Sequence, residues 1–164
     1  MTDSRELEVR LATEKDVPQI LVFIKALAEY ERLSDQVVAT EEGLRQSLFG
    51  QKAYAECVLA RWNGTPAGFA LFFHNFSTFL GRPGVYLEDL FVPPEMRGKG
   101  VGRALLRHLA RVATDRNCGR LEWSVLDWNE TAIGFYKSIG AEPLNEWTIF
   151  RLKGEALARL AASR

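Results

Sequence analysis

The sequence predicts a mixed α/β (α+β) single domain over residues 1–164, with a largely antiparallel front half. Three observations predict it. Apolar positions switch between period two and helical spacing, in the order strand, two helices, three strands, helix, strand, helix, strand. Asn63-Gly64 separates two runs rich in aromatic and branched residues, the signal of a tight hairpin. Residues 85–126 read as strand, glycine-rich turn, long helix and strand, a crossover that places its two strands parallel.

The elements follow in order. Residues 8–12 form a short first strand, and Thr13 is an N-cap for a helix whose apolar stripe is Val17, Ile20, Leu21, Ile24, Leu27 and Ala28. Pro18 falls early in that helix, where its missing N–H matters least. Thr40 caps a second helix running to about Leu48, with Glu41 and Glu42 in its first turn. Residues 54–62 and 66–74 are the hairpin strands, 77–84 a loop, and 85–92 the fourth strand. Leu105, Leu106, Leu109, Val112 and Ala113 mark a long amphipathic helix, and 120–126 a fifth strand. Asn129 caps a helix to about Ile139 that ends on Gly140. Residues 147–152 read as a last strand, and a short helix closes the chain.

Composition narrows the function. Apolar residues are 47% and charged residues 26%, which supports a packed core rather than disorder. Lys plus Arg and Asp plus Glu balance at 21 each, so no general nucleic-acid-binding surface is expected. No apolar run approaches the roughly 20 residues of a membrane helix, and the N-terminus is polar, so the expectation is a cytoplasmic protein with no membrane partner. Cys57 and Cys118 read as buried free thiols. His74 and His108 stand far apart, with no CxxC or HExxH, so no metal site is expected.

The stretch from Val92 to Leu106 carries the chemistry. A strand enters three alternating glycines, Gly98, Gly100 and Gly102, and these enter a helix. Glycines bend the backbone and remove the Cβ atoms that would block a ligand, while the first helical amides lack internal partners. The result is a phosphate site, with Arg97, Lys99 and Arg103 around it. The spacing fits neither G-x-x-x-x-G-K-[ST] nor G-x-G-x-x-G. It matches R-x-x-G-x-G. About 30 residues on comes Asp127-Trp128-Asn129-Glu130-Thr131-Ala132, followed by Phe135-Tyr136 and Gly140-Ala141. Asn129 and Tyr136, seven apart, share one helix face.

Both runs resemble the two signatures of the GCN5-related N-acetyltransferases (GNAT). Ala28–Val37, Tyr86–Val92 and Val125–Asn129 are similar to the diamine acetyltransferases, most of all to the branch that prefers thialysine-type amino acids. The resemblance implies a central mixed sheet of about six to seven strands flanked by about four helices, acetyl-CoA as cofactor, a small-molecule amine as partner, and a homodimer. It implies coenzyme contacts at Leu90, Phe91 and Val92, at the loop Arg97, Gly98, Lys99, Gly100, Val101, Gly102 and Arg103, and at Asn129, Glu130, Thr131 and Ala132. It places the substrate side at Tyr30, Glu31, Glu88, Asp89, Glu122, Trp123 and Ser124, and makes Tyr136 the general acid. In the polyamine enzymes the loop before the fourth strand carries an acidic residue and a tryptophan. The matching Ser77 and Phe79 supply neither.

The residues themselves suggest the mechanism. A primary alkylamine has a pKa of about 10 and must lose a proton before it attacks a thioester. Glu88 is the expected acceptor of that proton, directly or through water. In a regular strand it shares a face with Tyr86 and Leu90, opposite Asp89. A phenol such as Tyr136 stays protonated at neutral pH and suits a departing thiolate. Two other readings stay open: a non-catalytic acyl-CoA-sensing domain, and an acetyltransferase acting on protein amines.

Overall fold

The computed structural model describes residues 6–163; the polar residues 1–5 and residue 164 lie outside them. The described residues divide into two compact units, one within Met1–Ser124 and one within Val125–Arg164.

The first unit is built on β1 (Leu7–Leu11), β2 (Glu56–Trp62), β3 (Thr65–Ser77), β4 (Arg82–Phe91) and β5 (Leu121–Trp123), in that order across one sheet. The first four run antiparallel, and β5 joins β4 in parallel. The crossover between them is α3 (Val101–Asp115). Two further helices, α1 (Val17–Tyr30) and α2 (Glu41–Phe49), separate β1 from β2. Thr13 caps a 3-10 turn over Glu14–Asp16 rather than α1 itself, and α1 begins one turn later, with Pro18 in its first turn. Thr40 caps α2 by accepting from the Gly43 N–H at 3.1 Å.

One sheet face buries Cys57, Leu59, Phe69 and Phe91 against Ile20, Phe23 and Leu27 of α1 and Leu48 of α2. Phe23 stacks on Phe69 with ring centroids 5.6 Å apart. The opposite face carries Val58, Ala70, Phe72 and Leu87 and meets the buried Leu105 and Leu109 of α3. At Gly68 a Cβ would lie 2.7 Å from the Phe91 carbonyl oxygen and 3.3 Å from Val101 Cγ1, so only glycine lets α3 start this close to the sheet.

The hairpin between β3 and β4 is longer than the sequence suggests. Ser77 pairs with Arg82, which confines the expected loop 77–84 to its tip. Gly84 makes this pairing possible, since a Cβ there would come 2.4 Å from Asn75 Oδ1. The hairpin between β2 and β3 follows the Asn63-Gly64 signal, with φ of 48° and 76°, both positive as a type I′ turn requires.

The second unit contains α4 (Glu130–Ser138) and α5 (Gly154–Ala162). Asn129 caps α4, and Gly140 follows it with φ 89°. The expected strand over 147–152 does not form. Trp147, Ile149 and Phe150 are exposed, Phe150 at 93%, and among the described residues no strand lies beside them to supply a ladder. The fifth strand is likewise shorter than the expected 120–126, and among the described residues there are five strands, fewer than the expected six to seven, and five α-helices.

Candidate active site

The glycine loop is set by its backbone. After β4, Pro94–Met96 make a 3-10 turn, and Gly98 and Gly100 take φ of 74° and 82°. Side-chain-bearing residues rarely adopt that conformation. Gly100 is the N-cap of α3 and provides no side-chain cap. The first hydrogen bond of the helix runs from the Ala104 N–H to the Gly100 carbonyl at 3.0 Å, so Val101 and Gly102 stand ahead of the first i to i−4 bond, where helical amides have no carbonyl one turn back. A Cβ placed on Gly98 or Gly100 meets no atom within 4 Å, so the space over the loop is open.

The loop's cations are exposed, and two of them bond back to the backbone. Arg97 Nε donates to the Val92 carbonyl at 3.0 Å, and its guanidinium lies 4.8 Å from the centre of the Tyr30 ring. Lys99 Nζ donates to the Glu95 carbonyl at 2.8 Å and sits 6.0 Å from the Trp62 ring. Arg103 is exposed in the first turn of α3.

Strand β4 departs from regular alternation where the chemistry is expected. Leu71 pairs with Asp89 and Phe72 with Leu87, so Glu88 is an extra residue, a β-bulge. The expectation that Glu88 faces with Tyr86 and Leu90, opposite Asp89, is therefore corrected. Tyr86, Asp89 and Phe91 share the face that α1 covers, Leu87 and Leu90 take the other, and Glu88 is exposed at the bulge. Strand β5 pairs with β4 only from Val85 to Leu87. From the bulge to Phe91, β4 has β3 on one side and, among the described residues, no strand on the other.

Asp89 is half-buried, and its carboxyl is pushed up to about 6, first by burial and then by the charges of Glu88 and Glu31. Glu31, the C-cap of α1, is also raised by burial. Tyr30, Glu31, Glu88 and Asp89 thus gather where the end of α1 meets the bulge. Glu122, in β5, is ion-paired with Arg120 just ahead of that strand. Ser124 Oγ and the Tyr86 hydroxyl share a hydrogen bond at 2.8 Å, a link the sequence reading missed.

In the second unit, Asn129 Oδ1 accepts from the Ala132 N–H at 3.2 Å. Glu130 and Thr131 are exposed in the first turn of α4. Tyr136 is partly buried, its ring 5.7 Å from that of Phe135.

The model of the acetyltransferase (GNAT) family matches residues 24–141. The chain belongs to the GNAT acetyltransferase family. It is 42% identical to thialysine N-epsilon-acetyltransferase of Bos taurus, covering 93% of this chain and 96% of that one. It is 34% identical to an L-ornithine N5-acetyltransferase of Arabidopsis thaliana, over 91% and 85% of the two chains. Among solved structures, an integron cassette protein from the mobile metagenome of V. cholerae superposes with a TM-score of 0.80 at 31% identity, covering 96% and 98%.

This GNAT acetyltransferase is thus an enzyme of acetyl transfer, and the family uses acetyl-CoA. The loop fits that ligand: two left-handed glycines, open space over them and the N-terminus of α3 suit a pyrophosphate. The exposed edge of β4 past Leu87 could pair with the amide-bearing arm of the coenzyme. Among the described residues no helix is long and apolar enough to cross a membrane.

Asp89 also yields a stability prediction. Its folded-state pKa lies above its unfolded value of about 3.9, so its favourable contribution is complete below that value and is lost as pH rises through about 6. Asp89→Asn is expected to stabilise the acetyltransferase at neutral pH by on the order of 3 kcal/mol, with no gain below about pH 4. Urea unfolding at several pH values reads this; an equal effect at all pH values would contradict it.

Proposed function

We propose that this acetyltransferase moves the acetyl group of acetyl-CoA to the side-chain primary amine of a small, lysine-like amino acid or a related diamine, and that residues 1–164 act as one N-acetyltransferase domain. The observation that carries the reading is the acidic group at the β4 bulge, Glu88 and Asp89 with Glu31, which suits a cationic acceptor. The names of the two curated relatives support it, since each is named for an amino acid with a side-chain amine. Ser77, buried, and Phe79, fully exposed at the hairpin tip, add no charge for a longer polyamine.

Acetyl-CoA supplies the acyl group and a thiolate that leaves. The loop Arg97–Arg103, the Leu90–Val92 backbone and the first turn of α4 from Asn129 to Ala132 would hold it, in line with the family signatures. Half-buried Asp89 would bind the ammonium, and exposed Glu88 would accept its proton, directly or through water. Tyr136 would offer the proton of its hydroxyl to the leaving sulfur. No covalent enzyme intermediate is required.

Glu88→Gln is expected to lose activity near neutral pH and recover much of it as pH approaches the amine's pKa of about 10, because the substrate then arrives neutral. A pH-rate profile parallel to wild type would assign the base elsewhere. We also propose a cytoplasmic homodimer, on family resemblance, so sedimentation at micromolar concentration should give twice the chain mass, and a monomer would contradict it. The acceptor itself is tested by ranking kcat/KM for thialysine, ornithine, lysine and spermidine. The amino acids should lead, and a clear preference for spermidine would overturn the assignment.

A further inference from the structure

We propose that Arg97, expected from the loop motif to serve the phosphates, is also a positioning residue for the amine: it latches the acceptor end of α1 to the coenzyme loop. The inference rests on the acetyltransferase reading. The observation is that one guanidinium holds two elements at once. Its Nε donates to the carbonyl of Val92, just past the end of β4, at 3.0 Å, and its central carbon lies over the ring of Tyr30, the last residue of α1, 4.8 Å from the ring centre. A planar fork can donate in its plane while stacking on its face; an ammonium is a point charge and does one or the other well.

Both ends of this latch touch the site. On one side, Arg97 leads directly into Gly98 and Gly100, whose left-handed backbone shapes the loop. On the other, Tyr30 precedes Glu31, whose carboxyl is half-buried and whose charge is felt at Asp89. Displacing the end of α1 would therefore move Glu31 relative to Asp89, the two carboxylates that would face an ammonium. A ligand on the loop and an amine at the acidic group are coupled through Arg97, so its loss should appear in the affinity for the amine and not only in that for the coenzyme.

A double-mutant cycle tests this. Arg97→Met keeps the apolar stem and deletes the fork. It should raise KM for thialysine about fivefold or more, with a smaller change in kcat. The same ratio should appear in a Tyr30→Phe background, which keeps the ring, and should shrink to within about twofold in a Tyr30→Leu background. Arg97→Lys, which keeps the charge, should raise the amine KM as well, and serves if Arg97→Met folds poorly. Fluorotyrosine labelling gives a readout that needs no turnover. The Tyr30 line, identified by its loss in Tyr30→Phe, should shift on addition of coenzyme A in the wild type and not in the Arg97 variants. Equal effects of Arg97→Met in all three backgrounds, a change confined to coenzyme affinity, or an unaltered Tyr30 response would overturn the latch. If thialysine is not acetylated by the wild type, the acceptor assignment fails, while the fluorine response still decides the latch.

Discussion

Tyr136→Phe is expected to lower kcat by about 10²–10³-fold while acetyl-CoA binding stays close to wild type. The change removes one hydroxyl and keeps the ring, which packs beside Phe135 within α4, so the helix should survive. What is lost is a proton donor for the departing sulfur, an interaction that strengthens only as charge develops. A thiolate is already a fair leaving group, which is why the lower half of the usual range for general acid catalysis is expected. Single-turnover kinetics beside coenzyme titration separate the two effects. Wild-type single-turnover rates with unchanged coenzyme affinity would make Tyr136 a packing residue.

Gly100→Val should abolish coenzyme binding. The position has φ 82° and is the N-cap of α3, so a β-branched side chain costs roughly 1–2 kcal/mol of backbone strain before any ligand is considered. The new side chain would also occupy the open space over the loop, where the pyrophosphate is expected. At coenzyme concentrations about 100 times the wild-type Kd, the wild type should gain about 2.7 kcal/mol and the variant nothing. NAD and ATP should stabilise the wild type far less, because the glycine spacing fits neither of their motifs. Equal stabilisation by all three ligands, or a coenzyme shift retained in the variant, would remove the loop from the site. Gly100→Ala, with the same strain problem and a smaller side chain, should fall between.

The parts of the fold that local pattern dictates were legible in the sequence. Asn63-Gly64 set a hairpin because few other residues tolerate two positive φ angles, and Leu105 and Leu109 set α3 because helical spacing puts them on one buried face. The family was legible for a similar reason: a phosphate loop needs glycine where the backbone is left-handed, and Gly98 and Gly100 are. Long-range pairing was not legible. The apolar alternation of 147–152 reads as a strand, but a strand forms only where a partner supplies the ladder. Strand β3 reached Ser77 because β4 paired with it, a fact held by neither segment alone.

The candidate site shows the same division. Glu88 and Asp89 were legible as a pair of adjacent carboxylates, while the bulge that breaks the regular alternation around them arises from the pairing of β4 with β3, which neither strand shows alone. Arg97 was found as a loop cation, while its stacking on Tyr30, 67 positions earlier, depends on how α1 crosses the sheet. Glu122 carries the right chemistry for an amine, and the structure adds its ion pair with Arg120.

Acetyl transfer from acetyl-CoA to a side-chain primary amine of a small molecule can be read directly. Its most direct test is to incubate the protein with acetyl-CoA and thialysine, follow free thiol release, and identify the acetylated nitrogen by mass spectrometry with fragmentation. One thiol should be released per acetylated molecule, with the acetyl group on the side-chain nitrogen. Thiol release only with peptides or aminoglycosides, or acetyl found on the α-amine, would contradict it.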